Sequence, residues 1–152
     1  MTKEPLHFAK AAMLIRKPVH EVFNAFIDPE ITTKIWFTKS TGNLYAGDSI
    51  SWTWEMFDHT VEILVKSIIP NERIQIQWGE NRDALVNWEF KKMDDSRTFV
   101  TITNTGFVGT SEDLIAQIRD ATEGFALVLA NLKALLEHGI LLDLVSDRYP
   151  KN

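Results

Sequence analysis

The chain has 152 residues, 45% of them hydrophobic and 24% charged, with a formal net charge of −5 and no cysteine. That length and apolar content suit one domain spanning residues 1–152 with a sizeable core, and the acidic balance argues against nucleic acid, whose phosphates call for a basic stripe. The absence of cysteine excludes disulfides, thiol catalysis and thiolate metal sites.

In chain order, the stretch HFAKAAMLIRK (7–17) carries enough apolar and β-branched content for one strand. A helix is expected from Pro18, with Val19, Val22, Phe23, Phe26 and Ile27 at the spacing of a buried stripe. Asp28-Pro29 interrupts it and starts a second short helix that runs through EITTKIW (30–36). From Ser40 to about Gly106 the period changes to two. Turn signals at Ala46-Gly47-Asp48, Asp58-His59, Pro70-Asn71, Gly79-Glu80-Asn81 and Asp94-Asp95-Ser96 divide this region into a meander of about six antiparallel strands.

The helical period then returns. Thr110 and Asp113 form a capping box, and Leu114, Ile118, Ala121, Phe125, Val128, Leu132 and Leu135 recur at spacings of three and four up to His138. Gly139 is the natural end of this helix, whose length of about 27 residues corresponds to roughly 40 Å. Residues 140–152 form a C-terminal tail, and its Ile140, Leu141, Leu142, Leu144 and Val145 are expected to pack on the body or on a second subunit. No apolar run approaches the roughly 20 residues of a membrane-spanning helix, and the N-terminal stretch lacks a signal-peptide core. A cytoplasmic location is the expectation, with no membrane partner.

A long helix needs a broad apolar partner, and the sheet supplies it. Each strand's apolar phase therefore points inward: Ile50, Trp52, Trp54 and Met56; Val61, Ile63 and Val65; Ile74, Ile76 and Trp78; Val86, Trp88 and Phe90; Val100 and Ile102. The architecture read from this pattern is α+β, a curved antiparallel sheet of about six to seven strands with helices on a single face. Four tryptophans share that face. Either their rings fill a wide core, or the sheet curls around the helix and they line a hollow.

The segments KPVHEVFNAFIDPEITTKIW, AGDSISWTW, SIIPNERIQIQW and EGFALVLANLKALLEHG, in this order, resemble the START-like, or SRPBCC, superfamily with its helix-grip fold. The nearest likeness is to bacterial domains similar to the activator of heat-shock protein 90 ATPase. Pro70, Arg73 and Trp78 match a Pro-x-x-Arg…Trp feature of that family, and Gly124 with Phe125 stands where relatives carry Gly-Trp. The resemblance implies a hydrophobic cavity for a lipid- or polyketide-like molecule, no cofactor, and a monomer or homodimer. It also admits a cofactor-free cyclase or hydrolase, and an interaction module like the chaperone ATPase activators.

The ligand-binding candidates are Phe23 and Phe26 from the first helix, and Trp52, Trp54, Met56, Ile63, Trp78 and Trp88 from the sheet. Phe125 and Leu129 join them from the long helix. Asn104 continues the inward phase of Val100 and Ile102, where it either orients a ligand's polar group or bonds backbone at the strand end. No catalytic or metal-binding set is assigned, because His7, His20, His59 and His138 fall on separate elements without ligand spacing. Asp58-His59 reads as a solvent turn or as an acid/base pair at a cavity mouth, and Glu55 as a surface residue. Gly106 and Gly109 flank Phe107 in a loop that is either a connection or a gate. Gly124, inside a helix at a cost of about 1 kcal/mol against alanine, points to a close approach or to room for a ligand.

Overall fold

The structure is a computed structural model that describes residues 7–79 and 84–151. Alternating burial carries the chain into seven strands: β1 (Ala9–Ile15), β2 (Lys39–Ser40), β3 (Ser49–Trp54), β4 (His59–Ile69), β5 (Arg73–Trp78), β6 (Ala84–Asp94) and β7 (Arg97–Thr105). They form one antiparallel sheet in the order β1-β7-β6-β5-β4-β3-β2. The meander β2 to β7 follows from the short turns, while β1 closes onto the last strand with Ala9 opposite Asn104. Register shifts at Val65/Ser67 and Lys92/Asp94 mark bulges, which bend and twist long strands. The turn read at Gly79-Glu80-Asn81 extends outside the described residues.

One inward phase departs from expectation. β3 ends at Trp54, and Met56 lies in a single 3-10 turn, Glu55–Phe57, half-buried at the core margin. The Thr38 hydroxyl accepts from the Glu55 amide at 2.9 Å, and Asp58, at φ 49°, closes the turn through its N–H to the Glu55 carbonyl. These bonds stop the alternation two residues early.

Two short helices follow β1. In α1 (Val19–Ile27) Pro18 is the N-cap rather than the first helical residue, and Val22, Phe23, Ala25 and Phe26 are buried. Phe23 meets Phe90 edge-on at 5.3 Å, and Phe26 lies 5.9 Å from Trp88. Asp28 caps α2 (Pro29–Thr32), which is shorter than the sequence reading through Trp36. The Thr32 hydroxyl donates to the Ala25 carbonyl at 2.6 Å, and the amides of Ile35 and Trp36 both fold back on the Thr32 carbonyl. The side-chain bond from Thr32 to the preceding helix competes with helix continuation. The chain turns inward, and Ile35, Trp36 and Phe37 enter the core.

The long helix α3 (Ser111–His138) begins at the Thr110/Asp113 capping box and ends at Gly139 in the left-handed region, φ 66°. There the Ile140 amide reaches the Ala134 carbonyl, closing the helix end as glycine permits. Its fully buried residues start only at Phe125 and continue with Val128, Leu129, Asn131 and Leu132. The N-terminal half of α3 therefore stands off the sheet, although its apolar spacing is unbroken. Beyond it, α4 (Leu144–Asp147) packs on α3 through half-buried Leu144 and Val145, whereas Ile140, Leu141 and Leu142 remain exposed.

A polar clasp fixes the other end of α3. The Glu137 carboxylate accepts from the Arg16 amide at 3.0 Å and from Lys133 Nζ at 2.6 Å, and Lys133 also donates to the Leu14 carbonyl. Burial pushes the Glu137 carboxyl up, but the Arg16 amide and the Lys133 ammonium outweigh it and hold the group below its ordinary value. Its contribution to stability is thus complete above the ordinary carboxylate range and lost as pH falls through the lowered folded value. Glu137→Gln is expected to cost about 1–2 kcal/mol at neutral pH. Urea denaturation at pH 7 and below pH 4 should show the two proteins converging in acid.

Candidate functional site

The gap under the N-terminal half of α3 is a cavity of about 630 Å³. Trp54, Val61, Trp78 and Asn104 reach it from the sheet, and Ala121, Gly124 and Phe125 from α3. Gly106, Phe107 and Val108 close one side, and the exposed Phe57, His59, Asp120 and Tyr149 stand at the rim. Gln117 Nε2 donates to the Val108 carbonyl at 2.9 Å, tying the β7–α3 loop to the helix. Gly109 allows that loop its shape: at φ 129° an added Cβ would fall 2.7 Å from Asp113 Oδ2.

Trp36 forms the floor. It is 8% exposed and packs against Phe37, Trp52, Trp54, Trp78, Trp88 and Phe125 at centroid distances of 4.9 to 5.9 Å. The aromatic interior thus has two parts. Below Trp36 the rings of Phe37 and Trp52 stack at 4.4 Å within a filled core; above it Trp78 and Phe125 stack at 6.1 Å along the cavity wall. Tryptophan serves as filling on one side of this residue and as wall on the other.

The structure distributes the sequence-derived candidates accordingly. Trp54, Trp78, Asn104 and Phe125 come together in the cavity. Phe23, Phe26, Trp52, Ile63, Trp88 and Leu129 are buried in the hydrophobic cluster behind it, and Met56 packs at its edge. Trp36, Phe57, Ala121 and Tyr149 were not among the candidates and line the cavity. For Trp36 a signal was present: a large aromatic at the end of the apolar stripe begun by Val19 has to enter the core somewhere. For Tyr149 nothing local marked it.

Polar groups are few. Asn104 is 2% exposed, and among the described residues its Oδ1 has no hydrogen-bond partner. Trp88 Nε1 is likewise without a partner, on the filled side. At the rim the Tyr149 hydroxyl donates to Asp120 Oδ1 at 2.9 Å, and this bond to a carboxylate holds the phenol proton, raising its pKa above the ordinary value. His59 starts β4 at the same rim, directly after Asp58, and Glu55 is exposed beside Lys39 at 3.9 Å. Among the described residues no three His, Asp or Glu side chains gather as a metal site, and no described helix is long and apolar enough to cross a membrane.

Comparison with solved structures places the fold firmly. A Staphylococcus saprophyticus protein shares 27% identity at a TM-score of 0.76, over 89% of this chain and 95% of its own. The Aha1 dimer from Colwellia psychrerythraea aligns at 18% identity and a TM-score of 0.75, covering 87% and 97%. An HSP90 activator from Plasmodium falciparum aligns at 18% and 0.66, covering 86% and 96%. The last two likenesses are of fold. No functionally curated protein matches the chain. The sequence profile described as activator of Hsp90 ATPase homolog 1-like protein matches residues 16–137, from the end of β1 to the last turn of α3. With its curved seven-stranded sheet and long C-terminal helix, the chain belongs to that family, within the START-like fold.

Proposed function

We propose that the protein binds a small, mainly apolar molecule of lipid- or polyketide-like character in this cavity, in the cytoplasm and without a cofactor. Asn104 carries the reading. A buried carboxamide oxygen without a partner costs about 1–3 kcal/mol, and the residue that carries it lines a hollow with aromatic walls. A ligand that brings one donor to Asn104 removes that cost and orients itself. The apolar remainder gains affinity from burial, at about 25 cal/mol per Å² before entropic losses. A volume of 630 Å³ suits a drug-sized molecule. Trp54, Trp78 and Phe125 are the proposed contacts, with Trp36 as floor and Trp52 and Trp88 supporting it from behind.

The test uses N-phenyl-1-naphthylamine, a neutral apolar fluorophore with one N–H donor. Saturable single-site binding is expected, and Asn104→Leu should weaken it about tenfold, the equivalent of roughly 1.4 kcal/mol. No saturable binding, together with no small molecule carried by the native protein in mass spectrometry, would defeat the proposal.

Family membership supports a second reading, an interaction module that acts on a chaperone ATPase. The two separate cleanly. Stimulation of the ATPase that survives a blocked cavity favours the module; stimulation that needs the open cavity joins both roles.

A further inference from the structure

The family profile ends at residue 137, yet the cavity is completed by a residue twelve positions later. Tyr149 stands across the mouth. Its ring meets Phe57 edge-on at 5.6 Å, its hydroxyl donates to Asp120 at 2.9 Å, and the Arg148 guanidinium lies 4.8 Å over the ring while pairing with Glu123. Two elements of the body, the 3-10 turn and α3, are thereby bridged by the tail.

The anchor of this tail lies deeper. Buried Asn131 on α3 accepts from the Leu144 amide at 3.2 Å and donates to the Ile35 carbonyl at 2.9 Å. One side chain therefore fixes both the segment that carries the Trp36 floor and the helix that carries the tail. The two ends of the tail differ in strength. At α4 the contact is half-buried, whereas the Tyr149 and Arg148 contacts are exposed, and exposed pairs contribute little. Asp143, at φ 54°, sits between the exposed Ile140–Leu142 run and α4, a strained position for a non-glycine residue.

We infer that residues 140–151 form a strap across the cavity, anchored at Asn131, and that Tyr149 is the releasable gate that controls passage of the ligand and the size of what fits. The inference rests on the ligand-binding reading for its function, but the geometry of the strap can be tested without any ligand. Opening requires only the exposed contacts to part while α4 stays docked, as in other loop-gated sites.

The experiment compares full-length Tyr149→Ala and Tyr149→Phe with the unaltered protein. Acrylamide quenching of tryptophan emission reports access to Trp36, Trp54 and Trp78. It should rise about twofold in Tyr149→Ala and little in Tyr149→Phe, which keeps the ring. In stopped-flow with N-phenyl-1-naphthylamine, Tyr149→Ala should raise the association and dissociation rates together by about fivefold, with the equilibrium constant changed less than about threefold, as removal of a gate demands. Unchanged quenching and unchanged rates overturn the strap. Absence of binding by all three proteins overturns the ligand reading instead, and the acrylamide result then decides the strap alone.

Discussion

Replacing Trp36 with alanine is expected to lower the unfolding free energy by about 3–5 kcal/mol, the range for deleting a large buried aromatic. The urea midpoint should fall while the slope holds if the change acts on the folded core. Among the described residues, Trp36 is the one ring that touches tryptophans of β3, β5 and β6 and the Phe125 of α3 at once. Its removal leaves a void that these neighbours cannot close, because each is held by its own strand or helix. Against a typical total of about 5–15 kcal/mol, such a loss takes a large share of stability. Trp36→Phe keeps an aromatic floor and should cost less than half as much. A cost for Trp36→Ala near that of an exposed substitution would show that the ring is wall alone and bears no packing.

The particular residues explain what the sequence could convey. Strand phases were legible because a half-buried strand has a period of two and a one-residue slip would expose its whole apolar set. Trp52, Trp54, Ile74, Ile76, Val86, Trp88, Val100 and Ile102 all point inward as their alternation requires. The ends of α3 were legible too, since Thr110, Asp113 and Gly139 satisfy helix termini by local chemistry. What failed depends on distant partners. Met56 leaves the strand because Thr38, far back in the chain, holds the Glu55 amide. The second helix stops early because Thr32 bonds back to Ala25 of the first.

The division of the candidate site has the same origin. The stripe from Leu114 to Leu135 is continuous in sequence, so nothing in it says that burial begins at Phe125 and that the preceding turns stand clear. Trp52 and Trp54 are two residues apart on one face, yet only Trp54 borders the cavity, because Trp36 lies between the hollow and the core. Tyr149 reaches Asp120 across 29 positions, a contact that no local pattern encodes. Periodicity identifies which side chains face inward; where the inside is empty is set by how the layers meet.

Gly124→Leu should weaken ligand binding by at least about 100-fold, roughly 2.7 kcal/mol, while leaving the protein as stable as before or more so. Glycine inside a helix costs about 0.5–1 kcal/mol relative to alanine, and packing does not require it here. A Cβ built at Gly124 meets nothing within 4 Å, and the residue lines the cavity beside Ala121 and Phe125. The missing side chain keeps space open that a side chain would occupy. Gly124→Ala separates the two effects: it should raise the urea midpoint by the helix-propensity gain and leave most of the volume free, so binding of N-phenyl-1-naphthylamine persists. Leucine retains part of that gain and projects into the hollow beside the stacked Trp78 and Phe125, where the ligand's apolar body is proposed to lie. Unaltered affinity in Gly124→Leu would place the ligand elsewhere. A large loss of stability would mean that the space at Gly124 belongs to the fold rather than to a bound molecule.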